Sequence, residues 1–259
     1  MASVDGVRLL HAPGDPVATV VLDRPATRNA QTPATWRALA AVGARLLSDP
    51  GVRVVVLRAE GPSFSAGLDR GMFAGGVLGE PGLAELAALD ESALDAAIDG
   101  FQQAFRWWRD EEIVSVAAVH GHAIGAGFQL ALACDLRLVA DDVAFSMKET
   151  SLGLVPDLGG TAPLVALVGY SRALEVCATG RRVGAQEAVA WGLASLAVPL
   201  EQLTSATDDL VAALLAAPVE ALRATKGLLA QAGSRSYDEQ RAAERAAQAG
   251  RLRALAKGA

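Results

Sequence analysis

The chain has 259 residues, 52% of them hydrophobic and 20% charged, with a formal net charge of −6. That acidic balance argues against a nucleic-acid-binding module, and no apolar run approaches the roughly 18 residues of a membrane span. The length suffices for a large single core, and Cys134 and Cys177, both in apolar helical contexts, point to reduced thiols and a cytoplasmic protein.

Met1 to Asp15 carries neither a basic cluster nor a continuous apolar core, so no secretory leader is expected. Short strands are predicted around Val7–His11 and over Val17–Leu22, the second ended by Asp23-Arg24-Pro25. Thr32-Pro33 opens a helix, a good cap followed by proline in the first turn, and Ser48-Asp49-Pro50-Gly51 closes it. Val52–Leu57 is the clearest strand, followed by the loop Glu60 to Asp69. Gly71 to Gly82 is glycine-rich and aperiodic and reads as a mobile loop, with helices from about Leu83 and over Leu94–Trp108.

Ile113–Val119 reads as a buried strand, and Leu130–Ala133 continues apolar as a buried helix does. Strands follow at Leu136–Ala140 and Ala144–Ser146, then a Gly/Pro-containing loop from Glu149 to Thr161. Helices are predicted at Ala162–Val168, Ser171–Thr179 and Ala185–Trp191, and a strand at Ser195–Val198. The remainder is helical: Thr204–Ala216, Val219–Ala230 and Tyr237–Ala256. Alternating strands and helices give an α/β core with right-handed crossovers. The Ala-rich tail from Thr204 is weakly amphipathic and is expected to pack on another subunit rather than on its own core.

Between the buried strand and the buried helix lies His120-Gly121-His122-Ala123-Ile124-Gly125-Ala126-Gly127. Its small residues let the backbone pass close to whatever occupies the helix N-terminus. The first amides there lack intrahelical partners, and the macrodipole adds positive character, so an oxygen that gains negative charge is a natural occupant. The plainer reading is tight helix–strand packing. A dinucleotide fingerprint fails, because Leu130 stands at the third glycine position.

Four stretches in order carry a resemblance. They are Asp23-Arg24-Pro25 with Asn29-Ala30, then Phe64-Ser65-Ala66-Gly67-Leu68-Asp69, then Gly121 through Asp135, then Glu149 through Gly160. Together they resemble the crotonase superfamily, the enoyl-CoA hydratase/isomerase family. The resemblance implies an α/β crotonase-like spiral of ββα repeats over residues 1–200, with a C-terminal helical trimerisation region over 201–259. It also implies chemistry on acyl-CoA thioesters, an oxyanion hole of two backbone amides, and a homotrimer or dimer of trimers. No metal or redox cofactor is implied, coenzyme A entering as part of the substrate, and neither nucleic acid nor membrane is a partner.

Carried over by position, the oxyanion donors are the amides of Ala66 and Ala126, with alanine at 126 where glycine is common. Family hydratases use two glutamates; here the first position is Gln129 and the second is Glu149. Glutamine orients water or a carbonyl but exchanges no proton near neutral pH, so two-glutamate hydration is not expected. Glu149 falls where family isomerases keep their single proton shuttle, and Asp157 where dienoyl-CoA isomerases carry one acid. Asp157 is equally read as a turn residue between Pro156 and Gly159. Substrate or coenzyme A contacts are expected from Arg28, Ala66, Gly67, Leu68, Asp69 and Gly125. A non-catalytic acyl-CoA-binding homologue is the alternative that Gln129 keeps open.

His120 and His122 flank Gly121 without a carboxylate or cysteine at metal-ligand spacing and are read as loop-packing residues. Ser63 and Ser65 do not form a Gly-x-Ser-x-Gly elbow. Phe101, Phe105, Trp107 and Trp108 read as core, and Met72, Phe73 and Phe128 as core or acyl-pocket residues.

Overall fold

A computed structural model describes residues 3–257. The strands are β1 (Val7–Leu10), β2 (Val17–Leu22), β3 (Val54–Ala59), β4 (Val114–Val119), β5 (His122–Ile124), β6 (Leu136–Ala140), β7 (Ala144–Ser146), β8 (Val183–Gly184) and β9 (Leu196–Val198). The helices are α1 (Pro33–Leu47), α2 (Leu83–Ala87), α3 (Glu91–Arg106), α4 (Ala126–Ala133), α5 (Thr161–Val168), α6 (Tyr170–Thr179), α7 (Ala185–Ala190), α8 (Leu203–Ala216), α9 (Val219–Gln231) and α10 (Tyr237–Ala256).

Six strands form one sheet in the order β1-β2-β3-β4-β6-β9. Only the β1–β2 pair is antiparallel; the others run parallel, as crossover connections require. Strand periodicity divides this sheet cleanly. Val55, Leu57, Ala117, Val119 and Val139 face the main core with α1, α3 and α4 residues such as Leu39, Phe105 and Leu130. Val54, Val56, Val116, Ala118, Leu138 and Ala140 face the opposite side, where Leu203 and Val211 of α8 cover them. Because both faces are buried, β3 and β4 read as unbroken apolar runs rather than alternating ones.

That covering helix corrects one expectation. The tail from Thr204 does not stand off its own core: α8 buries Leu203, Thr207 and Val211 on the sheet. Within the tail, α9 and α10 bury no residue. Lys226 of α9 is anchored by polar contacts instead, donating to the Ile113 carbonyl at 2.6 Å and to Asp135 at 2.7 Å.

A second sheet, β5-β7-β8, holds the site. Its strand β5 is only three residues between Gly121 and Gly125, too short for a periodicity to announce it, and was expected as loop. The connection after β3 adds to it: Ser65 pairs in parallel with Ala123, its amide donating to the His122 carbonyl at 2.8 Å and its carbonyl accepting from the Ile124 amide at 3.0 Å. Two loops far apart in sequence are thereby laced edge to edge.

The segment from Gly71 to Gly82 has more structure than a bare loop. Arg70–Ala74 forms a 3-10 turn whose start is capped by Asp69, and Val77 and Glu80 pair across a tight turn.

Candidate active site

The site is built where α4 begins. Gly125 caps that helix at φ 51°, ψ −119°, a conformation that costs an L side chain dearly. Its amide is spent on the Ser146 carbonyl at 2.8 Å. The next amide, that of Ala126, is a helix first-turn donor and has no acceptor among the described residues.

Gly67 brings the other loop against this point. It holds φ +87°, and a Cβ there would lie 2.5 Å from the Ile124 carbonyl oxygen and 3.6 Å from the Ala126 nitrogen. Only glycine permits that approach. The amide after it, that of Leu68, likewise has no acceptor among the described residues. Ala66 does not match its expected role: its N–H donates to the Arg28 carbonyl at 2.8 Å and is not free for a substrate oxygen. The bridging geometry explains this. The Ala66 amide is claimed by the loop that Arg28 and Asn29 form in left-handed conformation, while the Leu68 amide is not.

Asn29 is the keystone of that loop. Buried, it donates from Nδ2 to the carbonyls of Glu60 and Ser63, each at 2.8 Å, and accepts the Arg24 amide at 2.8 Å on Oδ1. Gln31, also buried, donates to Ser65 Oγ at 3.1 Å and accepts from Trp36 Nε1 at 2.8 Å. Both were within reach of sequence reasoning only as polar residues beside a recognised motif; what they hold is set by the tertiary contacts.

Glu149 opens a 3-10 turn immediately after β7 and is 9% exposed. A Cβ on Gly125 would sit 3.3 Å from its Oε1, so the carboxyl lies directly against the N-terminus of α4. Gln129, 1% exposed on α4, donates from Nε2 to Glu149 Oε1 at 2.7 Å. Gln129 Oε1 accepts from the amides of Leu158 at 2.9 Å and Gly160 at 3.3 Å. Glu149 Oε2 is buried with no protein partner. Burial raises the Glu149 pKa, the Gln129 hydrogen bond opposes that rise, and the charge of Asp157 adds to it.

This arrangement, two unclaimed amides at abutting small-residue turns with a buried carboxyl beside them, accompanies a full-length sequence correspondence. A family model for enoyl-CoA hydratase/isomerase matches residues 14–253. The chain belongs to the enoyl-CoA hydratase/isomerase family.

Among its relatives, carnitinyl-CoA dehydratase of Citrobacter koseri is 32% identical over 228 residues, 85% of this chain and 82% of that protein. An Arabidopsis thaliana protein provisionally designated mitochondrial enoyl-CoA hydratase 2 is 33% identical over 183 residues. That match spans 70% of this chain and 56% of the Arabidopsis protein's length. In structure, a candidate enoyl-CoA hydratase from Thermobifida fusca YX in complex with CoA superposes with a TM-score of 0.91 at 48% identity, covering 98% of this chain and 95% of that one. The same Thermobifida protein in complex with acetoacetyl-CoA gives 0.91 at 50% identity, covering 96% and 95%. The mixed α/β architecture described above is the fold these family members share.

The other expected site residues of this family member are placed as follows. Asp69 spends its carboxylate on protein: Oδ2 accepts from Arg24 at 3.0 Å and Oδ1 from the Gly71 amide at 3.0 Å. Both carboxylate oxygens thus help to shape the loop. Arg28 is exposed, and its guanidinium has no partner among the described residues. Asp157 lies on the rim, its residue exposed, yet neighbouring protein desolvates the carboxyl enough to raise its pKa. Its carbonyl accepts from Gln102 Nε2 at 2.6 Å, which ties the acid-bearing loop to α3. His120 pairs with the Gly61 carbonyl at 2.8 Å and His122 with Ser63 at 3.2 Å, so both brace the loop. Among the described residues no three His, Cys, Asp or Glu gather as a metal set, and no helix is long and apolar enough to cross a membrane.

Sequence reasoning missed the far end of α4 entirely. Arg137, 3% exposed, donates to the carbonyls of Ala131 at 3.3 Å, Cys134 at 2.6 Å, Asp135 at 3.1 Å and Leu193 at 2.7 Å. Burial pushes its pKa down to about 10, still charged at neutral pH. Arg109 adds bonds to Leu132 at 3.0 Å and Ala133 at 3.3 Å. Two cations thus satisfy the last carbonyls of the helix whose first amides form the site. An arginine in a strand pattern is the one signal that was available, and it named no partner.

Proposed function

We propose that this chain is an acyl-CoA thioester enzyme of the isomerase type, moving a proton through Glu149 while the Leu68 and Ala126 amides hold the thioester oxygen. The observation that carries the reading is Glu149 Oε2, buried, unpartnered, and beside the start of α4. A carboxylate there removes a proton from the carbon next to the thioester. The electron pair moves onto the carbonyl oxygen, and the two amides stabilise the resulting enolate. The same carboxyl then returns the proton to carbon. Each such amide is worth roughly 2.7–4 kcal/mol in transition states of this kind.

Burial suits Glu149 to the task, because a raised pKa narrows the gap between base and carbon acid. Gln129 supplies no second proton-transfer group, which disfavours hydration by two glutamates. Asp157, near enough to be felt by Glu149, positions substrate or solvent at the rim. Arg28, exposed and unpaired, is the candidate for the phosphates of coenzyme A, and the CoA-bound Thermobifida structures support an acyl-CoA ligand. Coenzyme A enters with the substrate, and we assign no other cofactor. The unburied helices α9 and α10, with exposed Leu229, Tyr237, Leu252 and Leu255, support a homotrimer or dimer of trimers. The unpaired thiols of Cys134 and Cys177 support a cytoplasmic setting.

The alternative, an acyl-CoA binder without turnover, is favoured by the same Gln129. Assays of double-bond isomerisation and hydration on a panel of enoyl-CoA thioesters decide between them. Isomerisation lost in Glu149→Gln supports the enzyme; tight acyl-CoA binding with no turnover in the native protein overturns it.

A further inference from the structure

Every polar atom of the Gln129 side chain that faces the site is already committed. Its Oε1 receives two backbone amides, those of Leu158 and Gly160, so its orientation is determined and its Nε2 must face Glu149. Gly160 packs so closely on this side chain that a Cβ there would lie 2.7 Å from Gln129 Cγ. The glutamine oxygen is thus engaged by two amides, and one of the two Nε2 protons is spent on Glu149.

The consequence falls on the two oxygens of Glu149. Oε1 is held by a donor, while Oε2 has none. An acceptor at residue 129 in place of Nε2 would set two oxygens at hydrogen-bond distance in a desolvated site, where they must share a proton. We propose that Gln129 is a positioning residue that locks Glu149 through Oε1, reserves Oε2 as the single proton-carrying oxygen, and keeps that carboxyl ionisable. Position 129 then defines a one-base site for acyl-CoA substrates that rearrange without gaining water. This rests on the isomerase-type reading above, which the test below probes separately.

Among the described residues, Gln129 is the one side chain that hydrogen-bonds Glu149. Helix α4 carries no ionisable side chain. From α6 comes Cys177, whose thiol feels the Glu149 charge. The other charged residues of α6 are engaged elsewhere: Glu175 pairs with Arg181 at 2.7 Å, and the Arg172 guanidinium lies 5.0 Å over the Trp191 ring. Asp157, across the loop, shares the sign of Glu149 and offers it no donor in the structure.

The experiment compares native protein with Gln129→Glu and Gln129→Met. Glutamate keeps an oxygen for the Leu158 and Gly160 amides and so preserves the structural contact; methionine has similar length and neither polar end. Titration of 13Cδ-labelled glutamate, with the Glu149 signal identified by its loss in Glu149→Gln, reads the carboxyl directly. Both variants are expected to move the Glu149 titration upward by about one pH unit or more. The acid limb of kcat for isomerisation should move the same way, with KM held within about threefold. Glu149 titrating at the native pH in both variants would overturn the proposal. A native protein without turnover overturns the isomerase reading alone, because the titration still decides the role of Gln129.

Discussion

The two ends of α4 are treated oppositely. At its C-terminus, Arg137 and Arg109 answer the terminal carbonyls and place positive charge where the macrodipole is negative. At its N-terminus no side chain caps the helix, the Ala126 amide is unclaimed, and a carboxyl is buried close by. The fold completes one end and leaves the other open, and on the proposed function a developing negative charge completes it. A helix of eight residues serves both purposes because its ends are separate electrostatic problems.

Changing the open end should cost catalysis and not folding. Glu149→Gln keeps an acceptor for Gln129 and removes the base, so kcat for isomerisation is expected to fall roughly 10²–10⁴-fold. Its stability should not fall at neutral pH. Because burial raises the folded pKa of Glu149 above its ordinary 4.5, the native protein loses stability as pH rises through that raised value, and the glutamine variant escapes this loss. Thermal melts of both proteins on each side of that window check the sign. A variant that is inactive because it is unfolded would break the comparison.

Gly67→Ala tests the close approach of the two loops. The added Cβ must displace the Ile124 carbonyl, dragging the Leu68 and Ala126 amides apart, and a loss of about 10²–10³ in kcat is expected. Ala66→Gly, by contrast, leaves the Arg28 bond in place and should change kcat less than about threefold, which separates the claimed amide from the free ones.

At the closed end, Arg137→Met strips several buried carbonyls of their donor. A loss of about 3 kcal/mol is expected, read as a melting temperature lower by roughly 6–12 °C, with kcat per folded molecule nearly preserved. A large kcat loss with unchanged melting would reverse the roles assigned to the two ends. The smallest effect is expected from Arg28→Ala: a KM for acyl-CoA raised a few-fold, more at low salt than at high, with kcat unchanged.

Much of this was legible in the chain. Thr32 caps α1 as expected, accepting the Thr35 amide, and the limits of β2, β7 and α10 coincide with their predicted ones. The strand run of β3 and β4 and the small residues before α4 announced a sheet with a helix N-terminus at its edge. The family resemblance led to Glu149, Gln129 and Ala126. Less legible was which amide of the first loop stays free. Periodicity and composition are the same whether Ala66 or Leu68 is unpaired; the answer came from the Arg28 carbonyl, which reaches Ala66 only after the chain has turned through two left-handed residues.

Local residue chemistry determined the kinds of element, and the family resemblance, taken position by position, pointed to Glu149 and to the lack of an acid at position 129. Tertiary structure decided which groups meet: Ser65 beside Ala123, Gly67 against Ile124, Gln129 between Glu149 and the Leu158 and Gly160 amides. The reason is that a hydrogen bond depends on positions to a few tenths of an ångström. Sequence patterns specify which face a residue takes, and only packing brings two distant loops to that precision.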